Sequence, residues 1–397
     1  MEVKNLVDEF VEIYGESAEK IRVFMSPGRV NLIGEYTDFN GGQVFPCALD
    51  FGTVAVARKR LDNKIKLASM NFEKTLELDS EGIVFKEEDD WCNYPKGVMK
   101  YMIEEGFEIG GLEILFEGSI PNGAGLSSSA SIEVLTGVII DGIYGKGNID
   151  RVKLAKICQE AENMFVGVNC GIMDQFAISV GKKNKTLLLN CETLDYRFAD
   201  FNLKNYSLVI MNTNKRRSLN ESKYNERRDE CESALHDMNE GSGDALQYLC
   251  QITPEKYEVL EGFIKNRTAA KRAEHIIKEN SRVSEAAVCL EKGDLIRFGE
   301  LLCQSHKSLK ELFEVTGFEL DTIVAEAVDF PGCIGARMTG AGFGGCAISL
   351  VETSAVERFK EAVGVDYTKL TGYIPDFYLT TAGDGARELC ETENGWN

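Results

Sequence analysis

The sequence predicts an α+β protein of two domains, built from mixed sheets and helices. Three observations lead to this expectation. The chain has 397 residues, which is more than a single hydrophobic core usually accommodates. Its composition, 44% hydrophobic and 27% charged, is that of an ordinary soluble globular protein. Strand-like and helical patterns are mixed along the whole chain. We place the domain boundary near residue 195, giving domains of residues 1–195 and 196–397.

The apolar periodicity defines the elements in order. In the first half it predicts a helix over 2–14, a strand over 21–25, strand segments over 43–60, a strand over 112–118, a helix after residue 127 and a helix over 151–166. In the second half it predicts a strand over 206–212, a strongly charged helix over 218–239, mainly helices from about 255 to 328, and strands over 347–351 and 377–381.

Charge and cysteine usage exclude several classes of protein. The formal net charge of -20 argues against a nucleic-acid partner, because a phosphate backbone would be repelled. The twelve cysteines are scattered without a Cys-x-x-Cys pair, and only three histidines occur, which favours a reduced, cytoplasmic protein over a disulfide framework or a histidine-rich metal site. The acidic N-terminal pattern does not resemble a signal peptide, and no run of about 20 apolar residues predicts a membrane span.

A glycine- and serine-rich segment precedes one of the helical patterns. Residues 121–131 read Pro-Asn-Gly-Ala-Gly-Leu-Ser-Ser-Ser-Ala-Ser. Gly123 and Gly125 allow a ligand to approach the main chain, and Ser127 is expected to cap the helix that follows. The unpaired amides and the dipole of the first helical turn suit a polyphosphate, and the hydroxyl of Ser129 is placed to reach Mg²⁺. An ordinary capped helix is the alternative interpretation of this segment.

Two further segments have a similarly unusual composition. Residues 26–50 contain Gly-Glu-Tyr-Thr-Asp-Phe-Asn-Gly-Gly, and residues 337–346 read Arg-Met-Thr-Gly-Ala-Gly-Phe-Gly-Gly-Cys. With residues 121–131, they resemble the three signature motifs of the GHMP small-molecule kinases, and the first resembles the galactokinase signature in particular. The similarity continues through residues 170–175 and 305–309 and covers essentially the whole chain.

The resemblance implies both a fold and an activity. The fold would be the two-domain GHMP kinase fold, with the active site in the cleft between the domains. The activity would be ATP-dependent phosphorylation of the anomeric C1 hydroxyl of galactose, giving galactose 1-phosphate and ADP. We expect a monomer whose partners are the sugar and ATP, with Mg²⁺ as cofactor.

The catalytic residues follow from this resemblance. Asp174 corresponds to the catalytic aspartate of the family, although an isolated aspartate at such a position would more often cap a helix. Arg29 is its expected partner, because a guanidinium would hold the carboxylate ionised and stabilise charge on the transferring group. Ser129 and Glu162 are the expected Mg²⁺ ligands, since this hard cation prefers oxygen. For Glu162, an ordinary solvated helical position is the alternative.

Sugar recognition is expected from the first motif. Glu35 and Asp38 are acceptors three residues apart, suited to paired hydroxyls. The resemblance implies that Asp38 contacts the C3 and C4 hydroxyls, which would disfavour the C4 epimer, and that Glu35 lies near the C6 hydroxyl. The backbone at Gly171 and the phenol of Tyr224 complete the expected pocket.

The nucleotide is expected to use the glycine-rich segment for its phosphates and an apolar slot for its base. By resemblance, Trp91 forms a wall of the adenine site, with a place in the core as the alternative. The expected phosphate-binding residues are Pro121, Gly123, Gly125, Leu126, Ser127, Ser128 and Ser129.

One position departs from the family pattern. Galactokinases typically have Gly-Glu-His-Thr-Asp-Tyr where this chain has Gly-Glu-Tyr-Thr-Asp-Phe, so Tyr36 replaces a histidine near the C6 end of the sugar. A phenol forms hydrogen bonds but does not become cationic near neutral pH, so we expect an altered preference at C6. Two alternatives stay open. One is a related sugar 1-kinase, acting on N-acetylgalactosamine or a C6-variant sugar, and the other is a catalytically silent sensor of galactose and ATP.

Overall fold

The computed structural model describes residues 3–121, 123–215, 220–392 and 395–396. The first half contains α1 (Val3–Tyr14), β1 (Arg22–Asn31), β2 (Gln43–Val44), β3 (Pro46–Lys59), β4 (Lys64–Ser69), β5 (Leu76–Asp79), α2 (Asn93–Glu104), β6 (Leu112–Gly118), α3 (Ser128–Ile143), α4 (Arg151–Glu160), α5 (Met173–Val180) and β7 (Lys185–Asn190). A π-helical segment, Ala161–Val166, continues α4.

The second half is richer in helices. It contains β8 (Tyr196–Asp200), β9 (Tyr206–Asn212), α6 (Asn220–Ser242), α7 (Pro254–Leu260), α8 (Arg267–Lys292), α9 (Leu295–Ser308), α10 (Gly317–Asp329), β10 (Cys333–Met338), β11 (Cys346–Glu352), α11 (Val356–Thr371), β12 (Asp376–Thr380), β13 (Arg387–Leu389), β14 (Glu391–Thr392) and β15 (Gly395–Trp396).

The described strands form four sheets. The largest has six strands in the order β13-β1-β3-β6-β4-β5, and all its pairs are antiparallel except β4 with β6. A four-stranded sheet has the order β10-β11-β9-β12, and β2-β7-β8 and β14-β15 form smaller sheets. Strand β13, from the end of the chain, therefore pairs with β1 near its beginning. The division near residue 195 stays a prediction.

Both faces of the six-stranded sheet are covered. Along β1, Val23 and Met25 pack into a cluster with Leu6 and Phe10 of α1. The intervening Phe24 packs into the opposite cluster, to which α2 and α3 contribute. Because successive side chains of a strand point to opposite faces, this pattern requires apolar residues throughout β1, as the sequence has.

Several predicted elements agree closely with the structure. The strands expected over 112–118 and 206–212 are β6 and β9, and the helix expected over 2–14 is α1, with residue 2 outside the described part. The charged helix expected from residue 218 is α6, and residues 218 and 219 lie outside the described part. The strand expected over 21–25 continues to Asn31, which brings Arg29 into the sheet. The mixture of several sheets and helices is confirmed.

Two further features bear on the expected environment of the chain. In the part of the chain that the structure describes, all twelve cysteines are free thiols. None of the helices described here combines the length and the apolar character needed to cross a membrane.

Candidate active site

Asp174 lies in the first turn of α5 and is held by two partners. The Arg29 guanidinium donates from Nε to Oδ1 at 2.8 Å and from Nη2 to Oδ2 at 2.7 Å. The Ser127 hydroxyl also donates to Oδ2. The Arg29 side chain is only 6% exposed, so this bidentate pair is shielded from water on the guanidinium side. Three segments far apart in the sequence therefore meet at one carboxylate.

The loop before α3 has the special backbone that its glycines predict. Gly123 and Gly125 have φ of 72° and 77°, and Ser127 has φ of 64°. The loop is attached to β1, because the Arg29 amide donates to the Leu126 carbonyl at 3.1 Å and Arg29 Nη1 donates to the Gly125 carbonyl at 2.8 Å. The arrangement leaves Ser128 and Ser129, at the start of α3, facing a cavity.

The expected capping role of Ser127 is wrong. This residue occupies the N-cap position of α3, but its side chain makes no capping hydrogen bond. Its left-handed conformation directs the hydroxyl to Asp174 instead. The sequence pattern located the helix start correctly. The helix amides and the distant Asp174 carboxylate compete for the Ser127 hydroxyl, and that competition depends on the tertiary fold.

A cavity of about 270 Å³ lies beside Asp174. Its lining includes both expected catalytic residues, the five expected sugar-binding residues and one expected metal ligand, namely Asp174, Arg29, Glu35, Tyr36, Asp38, Gly171, Tyr224 and Glu162. We call it the sugar-side cavity. Residues from β1, from the segment before α5, from α6 and from the third glycine-rich segment thus meet at one place.

Asp38 and Gly171 face each other closely in this cavity. A Cβ atom at Gly171 would lie 1.8 Å from Asp38 Oδ2, so only glycine leaves room for the carboxylate. Burial, followed by the charge of Asp174, raises the pKa of Asp38 to about 7. A hydrogen-bond donor from a ligand would therefore find a desolvated, strongly accepting group.

Glu35 connects the first motif to the third. Its Oε1 atom accepts from the Gly340 amide at 2.9 Å and the Thr339 hydroxyl at 3.2 Å, and lies 3.3 Å from Arg337 Nη2. The next residue, Tyr36, has φ of 67° and donates its hydroxyl to the Ala341 carbonyl at 2.6 Å. These contacts make the third segment one wall of the cavity.

Aromatic rings close the cavity around Tyr36. Its ring lies 5.4 Å from that of Tyr224, 6.2 Å from that of Phe39 and 4.6 Å from that of Phe313, centroid to centroid. Burial, followed by the charge of Asp38, raises the pKa of the Tyr224 phenol well above its usual value. Tyr224 is therefore neutral and able to donate.

A second cavity of about 160 Å³ lies at the start of α3. Ser128 and Ser129 line it together with Trp91 and Phe72, whose rings are stacked at 6.2 Å with an interplanar angle of 23°. Trp91 also belongs to the core and donates its indole N–H to the Lys74 carbonyl at 3.1 Å. We call this the nucleotide-side cavity. Pro121, Gly123, Gly125 and Leu126 form the adjoining loop and do not line this cavity.

The expected metal ligands Ser129 and Glu162 lie near each other, and the Ser129 hydroxyl partly offsets the rise in the Glu162 pKa. Burial, followed by the charge of Asp174, raises the pKa of Glu162 to about 7. The Gln175 amide donates to Glu162 Oε2 at 2.6 Å and to Glu133 Oε2 at 3.1 Å. Within the described residues, no group of three or more histidine, cysteine or acidic side chains has the arrangement of a metal site. The possible oxygen donors for a cation are therefore a hydroxyl and a buried carboxylate.

Sequence reasoning missed several residues of the site. Glu133 is completely buried and lies one helical turn after Ser129, and this i, i+4 spacing on α3 is a signal that could have revealed it. Gln175 directly follows Asp174. No sequence signal pointed to Phe72, or to Asn225 and Ala341 in the sugar-side cavity.

The arrangement suits transfer between two ligands. A carboxylate bound to a guanidinium lines one cavity, and the first turn of α3 lines a second, partly aromatic cavity. Free amides at a helix start favour an anionic donor, and the carboxylate is suited to orient a hydroxyl acceptor. The geometry thus indicates group transfer to a hydroxyl.

Comparison with known proteins identifies the family. The GHMP kinases N terminal domain model matches residues 93–182, the GHMP kinases C terminal model matches 286–367, and the galactokinase galactose-binding signature matches 8–59. A galactokinase of Clostridium tetani (strain Massachusetts / E88) is 52% identical over 389 residues, covering 98% of both chains. The chain belongs to the galactokinase family of GHMP kinases.

Other members of the galactokinase family agree in sequence and in structure. The galactokinase of Clostridium beijerinckii is 49% identical over 387 residues, covering 97% of this chain and 98% of its own. The crystal structure of Lactococcus lactis galactokinase complexed with galactose superposes with a TM-score of 0.93 at 44% identity, covering 97% of this chain and 99% of its own. The expected GHMP kinase fold is confirmed. This member of the galactokinase family is a sugar kinase, and its kinase family implies ATP as the phosphoryl donor.

Proposed function

We propose that this chain transfers the γ-phosphoryl group of ATP to the anomeric C1 hydroxyl of galactose, giving galactose 1-phosphate and ADP. The observation that carries the proposal is the position of Asp174, which Arg29 and Ser127 hold beside the sugar-side cavity. The start of α3 lines the nucleotide-side cavity, and Ser127, at the N-cap position of the same helix, bonds to Asp174 beside the sugar-side cavity, so donor and acceptor can be held in line.

In this proposal, Asp174 orients the C1 hydroxyl and accepts its proton as the oxygen attacks phosphorus. Arg29 fixes the carboxylate through two hydrogen bonds and supplies positive charge beside the transferring group. Ser127 adds a third hydrogen bond to the same carboxylate. The phosphates of ATP lie against residues 121, 123 and 125–127 of the loop and the first-turn amides of Ser128 and Ser129, and the base lies near Trp91.

We propose Ser129 and Glu162 as the residues that hold Mg²⁺. Their oxygen atoms suit this hard cation. The pKa of Glu162 is high mainly because the carboxyl is buried, and a bound cation would stabilise its charged form. When bound, Mg²⁺ supplies charge neutralisation at the phosphates. Gln175 orients Glu162 by donating to its Oε2 atom.

Sugar selection is assigned to the carboxylates of the first motif. Asp38 accepts the C3 and C4 hydroxyls, and Gly171 leaves the space for its carboxylate. Glu35 and Tyr36 lie near C6, and Tyr224 completes the pocket. Because the Tyr36 hydroxyl donates to the Ala341 carbonyl, it acts toward a sugar hydroxyl as an acceptor. We further propose a monomer in a reducing cytoplasm, in line with the free thiols of the described residues.

ATP-dependent phosphorylation of a sugar panel tests the proposed function. The panel comprises galactose, N-acetylgalactosamine, glucose, arabinose, fucose and galacturonate, each with and without magnesium. We expect magnesium-dependent turnover of galactose and no turnover of galacturonate, which Glu35 repels. Preferred turnover of N-acetylgalactosamine or a C6-variant sugar would indicate the related 1-kinase instead, and no turnover of any sugar would contradict the proposal.

The Tyr36→His variant tests the C6 preference. If this variant leaves the ratio of galactose turnover to the turnover of C6-modified sugars unchanged, Tyr36 does not set the C6 preference.

The pKa of Asp38 predicts a pH-dependent affinity for galactose. The ionised carboxylate accepts both hydroxyls, whereas the protonated form must use one oxygen as a donor. With a pKa of about 7, the ionised fraction increases as the pH rises through neutrality. We expect KM for galactose to fall about tenfold between pH 6 and pH 8, while KM for ATP changes little. Asp38→Asn has no titrating group and is expected to have a higher, flat KM; an equally steep profile in this variant would assign the titration to another group.

A further inference from the structure

The sugar-side cavity depends on a loop that lacks regular secondary structure over most of its length. Residues 32–42 connect β1 to β2 and carry Glu35 and Asp38. The backbone amides and carbonyls of such a buried loop need partners outside it, because an unpaired buried polar group is destabilising. For several of these groups, the partners come from α8, which lies about 240 residues further along the chain.

Helix α8 presents a polar stripe to this loop. Glu279 Oε1 accepts from the Gly34 amide at 3.0 Å, and His275 Nε2 lies 3.3 Å from the Glu35 carbonyl oxygen. Asn280 Oδ1 accepts from the Gln43 amide at 2.7 Å. The positions 275, 279 and 280 follow i, i+4 and i+5 spacing, which places the three side chains on one face of the helix. A single helix therefore holds the loop at two points and the first residue of β2 at a third.

The hydrogen-bond pattern fixes the tautomer of His275. A carbonyl oxygen only accepts, so Nε2 must carry the proton, and Nδ1 accepts from the Ser308 hydroxyl at 2.8 Å. Burial lowers the pKa of His275 to about 4, which agrees with a neutral ring near pH 7. His275 is thus a donor to the main chain of the residue whose carboxylate lines the cavity.

Glu279 is the charged centre of the stripe. It is completely buried, and its Oε2 atom pairs with Arg282 Nε at 2.7 Å while Oε1 also accepts from the Ser305 hydroxyl at 2.6 Å. Burial opposes ionisation, yet nearby positive charge, that of Arg282 above all and also that of Arg337, lowers the pKa of Glu279 to about 2. Arg337 lies 3.3 Å from Glu35 Oε1 as well, so its charge acts on both carboxylates.

We infer that Glu279 and His275 are positioning residues for sugar binding, acting through the main chain of Gly34 and Glu35. This inference rests on the proposed function. A shift of the loop main chain moves the Glu35 and Asp38 carboxylates away from the sugar hydroxyls, whereas the nucleotide-side cavity is built from other segments. The expected consequence is a selective loss of sugar affinity.

Kinetics of substituted full-length protein test this inference. Glu279→Gln retains an oxygen acceptor but removes the charge that faces Arg282, and His275→Leu removes the donor to Glu35. For each we expect KM for galactose to rise about tenfold, with KM for ATP within about twofold of the unsubstituted protein. His275→Gln, which can donate from its amide, is expected to recover most of the affinity.

A matched control separates positioning from general stability. Glu113 is also a buried carboxylate, paired with Arg58, but it lies outside both cavities. Glu113→Gln should lower the melting temperature and leave KM for galactose unchanged. If both Glu279→Gln and His275→Leu fold and keep the original KM for galactose, or raise both KM values equally, the inference is wrong. If the unsubstituted protein does not phosphorylate galactose, the proposed function fails independently of this comparison.

Discussion

Replacing Asp174 with asparagine is expected to lower kcat for galactose by at least about 10³-fold while leaving the protein folded. The amide has nearly the same shape but cannot accept the proton of the attacking hydroxyl. It also turns one end toward Arg29 as a donor, so the bidentate pair with Nε and Nη2 is lost. The measurement is steady-state turnover of galactose with ATP and magnesium, together with a thermal melt and circular dichroism.

Asp294→Asn is the matched control for this substitution. Asp294 caps α9 by accepting from the Arg297 amide, and asparagine is an equally good N-cap, so stability and turnover should both persist. Asp174→Ala should be as inactive as Asp174→Asn, because both lack the carboxylate. Near-normal turnover by either Asp174 variant, in a protein that melts normally, would remove Asp174 from its proposed role.

The sequence predicted local structure well wherever local patterns decide it. The largely apolar run over 112–118 is β6, and the glycines at 123 and 125 adopt the positive φ that their position before a helix suggests. Short strands such as β5 and β13 were missed. Strand β13 has three residues and is a strand because it pairs with β1, more than 350 residues earlier.

The candidate site shows the same division between local and tertiary information. The residues that the resemblance assigns to catalysis and to sugar binding line one cavity, and their roles stay predictions. The direction of the Ser127 hydroxyl was not predictable, since it depends on a carboxylate 47 residues away. The roles of Glu279 and His275 were equally hidden. Glu279 has no sequence pattern that distinguishes it from a solvated helical glutamate until its partners are known.

Replacing Gly171 with alanine is expected to raise KM for galactose about 10²-fold while KM for ATP stays near its original value. The new Cβ atom would lie 1.8 Å from Asp38 Oδ2 and 2.3 Å from its Cγ, so the Asp38 side chain must rotate away. Rotation is possible without unfolding, because the obstacle is the end of a short side chain rather than main chain. The carboxylate would then leave the position from which we propose that it accepts two sugar hydroxyls.

Gly262→Ala serves as the control for adding a methyl group, because a Cβ atom at that position meets nothing within 4 Å. It should leave both KM values unchanged. A thermal melt of Gly171→Ala distinguishes a displaced Asp38 from a damaged fold, since displacement alone changes stability little. An unchanged KM for galactose in folded Gly171→Ala would mean that Asp38 does not contact the sugar from its position against Gly171. The double variant gives the complementary test. If adding Asp38→Asn to Gly171→Ala does not raise the high KM for galactose further, the contact is supported, because both substitutions then remove the same interaction.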